Sequence, residues 1–170
     1  QPKYFPDRQL ETISYNIEST YGAQVYATLR ELMGDLQYAR YNLFPYVSPD
    51  YHNHGKYKNL QKASGSLRGL MRVMMFKRFE SSIAAFRATV KRLITIHEWF
   101  LQSIDAGIIP AGEEAQSILY NIDKKKQSDD HDDQVEFADL EQELRQASQD
   151  YHIDHFETQA LYDAINDDLQ

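Results

Sequence analysis

The sequence predicts an all-α fold, an elongated helical bundle built on one long central helix. Three observations carry that expectation. In Leu67 to Ile104, the residues Phe79, Ile83, Phe86, Val90, Leu93, His97, Phe100 and Ile104 follow one another at alternating steps of four and three, the seven-residue repeat of a helix buried along one seam. No proline interrupts this stretch, which at the helical rise is about 55 Å long. A second stretch, Val25, Leu29, Leu32, Leu36, Ala39 and Leu43, steps in the same way.

The pattern divides the chain into an extended N-terminal segment (1–18), a helical core (19–127) holding the spine 67–104, and an acidic loop with peripheral helices (128–170). Gln1 to Gln9 carries two prolines and reads as extended. Thr12 to Ile17 alternates in polarity with β-branched and aromatic residues, the signature of a short strand. Ser19 or Thr20 is placed to cap the next helix, and Pro45 to stop it, because proline disfavours helical geometry in the residue before it. Gly34 weakens that helix without ending it, and its Tyr26, Tyr38 and Tyr41 are expected to pack on the spine. Tyr46 to Lys58 is a polar, aromatic connection with Pro49 and Gly55. Gly107 and Pro110 end the spine in the usual order of glycine just past the helix and proline beyond it. Glu113 to Ile122 reads as a short helix. After Lys124, Lys125 and Lys126 the run QSDDHDD has nothing apolar to bury and is expected to be a mobile loop. Gln134 to Gln149 and Phe156 to Leu169 return to helix with narrow apolar faces.

Charge is unevenly laid out. Lys56 to Arg92 holds ten basic residues against Glu80 alone, whereas from Leu93 onward nineteen acids face four basic residues, within a chain of formal net charge -8. The molecule has a basic middle and an acidic end. Without cysteine, a disulfide framework and thiolate metal sites are excluded, and a reducing, cytoplasmic compartment is the default expectation. No apolar run approaches the ~20 residues of a membrane-spanning helix, so no membrane partner is expected. The chain begins at Gln1 and stops at Gln170 without a recognisable ending, which reads as a piece of a longer protein.

The residues favour few chemistries. SGSLRGL lacks the lysine and spacing of a phosphate-binding loop. His52, Asn53 and His54 spell a nuclease signature, but adjacent in a loop they lack its spread over several elements. The positions three before His97, His152 and His155 are Ile94, Gln149 and His152, which excludes the Glu-x-x-His pattern of di-iron bundles. His152 and His155, near Asp154 and Glu157, read as a solvated acidic loop rather than a metal site, and His97 as a core histidine. No catalytic residue and no resident cofactor or metal is expected. The sharpest feature is the basic stretch, whose exposed cations would neutralise backbone phosphates of any sequence; intramolecular pairing with the acidic tail and an acidic protein surface are its rivals.

The segment RGLMRVMMFKRFESSIAAFRATVKRL, with Met75, Phe76, Lys77, Arg78, Phe79, Glu80, Ser81 and Ser82 followed by Ala85, Phe86 and Arg87, resembles the hydrophobic-K-R-hydrophobic-E-S-S segment of the bacterial Swi/Snf-like branch of superfamily two helicases. Upstream, YFPDRQLETISYNIESTYGAQVY looks like the stretch after that family's first RecA-like lobe. The resemblance covers roughly Tyr4 to Leu101 and leaves out the acidic tail. It implies a helical region between two RecA-like lobes of an ATP-dependent helicase, an accessory domain that braces the motor. Those flanking lobes of the same chain would be its partners, together with DNA or RNA. The ATP and magnesium sites would lie in the rest of the parent, and Arg68, Arg72, Lys77, Arg78 and Arg87 are the nucleic-acid contact candidates. The alternative expectation is a structural spacer or protein-interaction module without nucleic-acid affinity.

Overall fold

In the computed structural model, residues 11, 16–128 and 137–170 are described, and among them the fold is all-α. Seven helices follow in order: α1 (Ile17–Tyr21), α2 (Ala23–Asp35), α3 (Gly55–Ser81), α4 (Ile83–Asp105), α5 (Glu113–Ser128), α6 (Phe137–Ala147) and α7 (Thr158–Asp167). Most of the strand expected at Thr12 to Ile17 and most of the expected acidic loop lie outside the described residues. Where the description resumes, Asn16 caps α1, its Oδ1 accepting from the Ser19 amide at 3.0 Å. Asn16 thus takes the capping role expected of Ser19 or Thr20, and Gly22, at φ 88°, separates α1 from α2.

The stretch expected as a single helix over 67–104 is two helices, because the chain turns at Ser82. This residue is extended, and its hydroxyl accepts from the Ala85 amide at 3.0 Å as the N-cap of α4. Met71 and Met75 of α3 share a cluster with Phe86, Val90 and Leu93 of α4. In a continuous helix Met71 and Leu93 would stand about 33 Å apart. The two helices therefore fold back against each other, with Phe79 and Phe86 meeting edge-on at 5.5 Å beside the turn. The long helix α3 begins at Gly55, well before Leu67.

Burial along α4 rises toward its end. Ile83, Phe86, Val90 and Leu93 are half-buried, while Ile96, His97, Trp99, Phe100, Leu101, Ser103 and Ile104 are buried. This second half is the centre of the main core. It is surrounded by α5, α6 and α7, which supply Ala115, Leu119, Leu140, Leu144, Leu161, Ala164 and Ile165. The last helices, expected at the periphery, are core elements. Their apolar faces are narrow, but Leu144, Leu161 and Ile165 are fully enclosed because α4 and its neighbours cover them. The exit from α4 follows the expected order: Gly107 adopts φ 77°, the Ile108 amide donates to Ser103 at 2.8 Å, and Pro110 follows in the buried run 108–111.

The second expected helix also stops early, at Asp35 instead of Pro45. The cause is a distant carboxylate: Asp168 accepts from the Gln37 amide at 2.6 Å and from the Ala39 amide at 3.1 Å. Leu36 turns extended and Tyr38 takes a left-handed conformation, φ 51°. The Tyr38 ring is nonetheless buried against Met33 and Met75, with its hydroxyl donating to the Met33 carbonyl at 3.2 Å. Tyr26 stacks on Phe79 at 6.3 Å. Short 3₁₀ turns then lead to Val47, which bridges Phe156 antiparallel and ties the first third of the chain to its end.

Candidate functional site

The five cations singled out from the sequence are all exposed, but the fold sends them in different directions. Arg72 lies against the end of α2, where Nη2 donates to the Gly34 carbonyl at 2.6 Å. A Cβ at residue 34 would come within 2.7 Å of that nitrogen, so glycine permits the contact. A guanidinium on the last carbonyls of a helix is a favourable charge–dipole arrangement. Arg68 acts electrostatically on Asp168, Tyr38 and Tyr46, so it borders the acidic end of the chain. Arg78 lines a cavity between α3, α4 and α5, and Arg87 stands on α4. Lys77 points with the outer face of α3. Lys56, at the start of the basic stretch, pairs with Asp150. Acids from the C-terminal end thus engage Lys56 and lie within the field of Arg68.

The outer face of α3 has an unusual composition. Leu67, Leu70 and Met74 recur at helical spacing with Val73 beside them, and all four are exposed, Leu70 by 53% and Val73 by 51%. The opposite face carries the buried Tyr57, Ser64, Met75 and Phe79. Contiguous apolar exposure of this kind marks interaction surfaces and ligand grooves.

Next to this face runs a groove in two parts. A cavity of about 400 Å³ is walled by Leu43, Leu60, Ala63 and Leu67, and one of about 360 Å³ by Met71, Met74, Leu93 and Ile96. Arg40, Tyr41, Glu113 and Gln116 line both. Arg40 is only 4% exposed. Its Nη1 donates to Gln116 Oε1 at 2.7 Å, Nη2 donates to the Tyr41 hydroxyl, and the guanidinium lies 4.1 Å over the Tyr41 ring. Gln116 is itself held, donating from Nε2 to the Pro110 carbonyl at 2.9 Å. Nε of Arg40 is buried without a partner, and burial pushes the guanidinium pKa down.

The same charge reaches His97. Its pKa is pushed down to about 4, first by burial and then by Arg40, against a hydrogen bond between Nδ1 and the Leu93 carbonyl at 2.7 Å. His97 is a core residue, bonded within its own helix. Two further histidines are also engaged structurally. His52 Nε2 bonds the Val47 carbonyl at 2.7 Å, while His155 stacks on Tyr51 at 3.6 Å and bonds the Tyr57 hydroxyl through Nδ1 at 2.8 Å. Among the described residues, no group of three or more histidines and carboxylates is arranged to hold a metal.

Sequence reasoning passed over Arg40 and Gln116. Arg40 falls inside an apolar and aromatic run, Leu36 to Leu43, and that is the one signal that points to it. Its burial depends on the turn held by Asp168, 128 residues away. No helix among the described residues is long and apolar enough to cross a membrane. Compared with known proteins, the chain matches no family model, no curated protein and no solved structure.

Proposed function

We propose that this chain is a helical interaction module that docks on another protein surface through the outer face of α3. The observation that carries this reading is the exposed set Leu67, Leu70, Val73 and Met74, with Lys77 in the same arc and Arg78 beside it. Its complement is an apolar surface rimmed by carboxylates, since rim charges of opposite sign set orientation and suppress wrong partners. The test places a photo-crosslinking residue at Leu70 in the full-length protein, with Val25, exposed on α2, as the control position. A specific protein adduct from position 70 that is absent from position 25 and is lost from position 70 when Leu67→Asp is added supports docking. Equal background at both positions overturns it.

A narrower reading makes that surface a RecA-like lobe of an ATP-dependent helicase or translocase, with this chain as the brace between lobes. What supports it is the resemblance of Met75 to Arg87 to the Swi/Snf-like segment, together with the exposed Arg68, Arg72, Lys77, Arg78 and Arg87. ATP and magnesium would then be handled outside this chain, and DNA or RNA would meet the cations. An adduct joining position 70 to flanking parts of the same polypeptide favours the brace. Titration of labelled duplex at low and moderate salt tests the nucleic-acid contact, which must weaken steeply as salt rises. Undetectable affinity at low salt removes it from this chain.

A further inference from the structure

Among the residues whose burial is described, Arg40 is the one arginine or lysine that is buried. It has no carboxylate partner there: its hydrogen bonds go to the neutral Gln116 and Tyr41, and Nε has none. Taking a charge out of water costs several kcal/mol, roughly, unless an opposite charge and full hydrogen bonding repay it. Two neutral acceptors supply part of that. A carboxylate would supply the rest, because it accepts two parallel N–H bonds from the fork of a guanidinium. Nε is enclosed, but beyond the bonds to Gln116 and Tyr41 Nη1 and Nη2 each keep a further N–H, the two tines of such a fork.

The surroundings define what must carry the carboxylate. Leu43, Leu60, Ala63 and Leu67 form an apolar wall on one side, and Met71, Met74, Leu93 and Ile96 on the other, with Arg40 at the junction. From Ala63 to Met74 the groove follows α3 for about 16 Å. Its volume falls in the range of small-molecule sites, roughly 300–1,000 Å³. Glu113, which lines both halves, disfavours a second negative charge on the ligand.

We infer that this groove binds an amphipathic monocarboxylate, with the carboxylate on Arg40 and an acyl chain along the α3 wall. Leu67 and Met74 belong to both the groove wall and the docking face, whereas Leu70 and Val73 lie outside the groove lining, so Leu70→Asp tests docking alone and Ala63→Phe tests the groove. The probe is dodecanoate, titrated by calorimetry below its micelle concentration into lipid-stripped protein, with dodecanol as the uncharged comparison. Saturable one-to-one binding of dodecanoate is expected, at least tenfold tighter than dodecanol. Arg40→Gln should erase that preference. Ala63→Phe, which fills the wall and leaves Arg40 in place, should weaken dodecanoate at least tenfold while the circular dichroism spectrum stays unchanged. Equal binding of acid and alcohol, no saturable binding, or full affinity in a folded Ala63→Phe variant would each overturn the assignment.

Discussion

The two ends of the α3–α4 pair are built differently. Around the second half of α4, Phe100, Leu119, Leu144, Leu161 and Ile165 are fully enclosed, drawn from four helices. At the turn near Ser82, Phe79 is enclosed and Met33, Tyr38 and Met75 are the buried members of a small cluster, with Phe86, Val90 and Leu93 only half-covered. The lesson concerns charge as well as packing. The acidic end of the sequence supplies much of the enclosed core, and the basic middle supplies the thinly covered end and the exposed apolar face of α3. Stability and surface for partners are thus separated along one helix pair.

The largest effect expected from breaking this contrast is at Phe100. Phe100→Ala should cost about 3–5 kcal/mol, as large cavities in closed cores do, and Phe86→Ala less than half as much; urea midpoints measure both. Equal losses would mean that the turn end is as well packed as the core.

His97 gives the next effect. Unfolded, its imidazole takes up a proton near 6.5; folded, it is held to about 4. Between those values the unfolded chain binds more protons, so this contribution to stability is fully present above about 6.5 and is lost as pH falls toward 4. The loss is on the order of 3 kcal/mol, and His97→Gln should flatten the profile of urea midpoint against pH in that window.

Ser82→Ala removes the cap at the turn and should cost about 1 kcal/mol, with the added hydrogen exchange confined to amides near the turn and absent around Phe100. Leu70→Asp, at a site 53% exposed, should change stability by less than about 1 kcal/mol, the helix-propensity difference included. A larger loss would place Leu70 in the core cluster and remove the basis for its role in docking.

Helix type and the buried seam of α4 were legible because they depend on neighbours three and four residues away. Every residue of the repeat from Ile83 to Ile104 is buried or half-buried. The break at Ser82 had a local signal too, a serine pair followed by an apolar run, but the heptad steps continue through it and masked it. The site was less legible. Exposure of Leu67 and Leu70 cannot be told from burial by periodicity, since a helix turned through half a revolution shows the same spacing.

By itself, the sequence determined the all-α class, helix on both sides of Ser82 and the glycine exit at Gly107, each set by backbone geometry within one or two turns. Only the tertiary structure decided where α2 stops, which way α4 runs, how deeply α7 is buried and that Arg40 is enclosed without a carboxylate among the described residues. These outcomes rest on groups far apart in the chain. Asp168 bonds the amides of Gln37 and Ala39, and Gln116 meets Arg40. No local preference encodes a partner that only folding brings near.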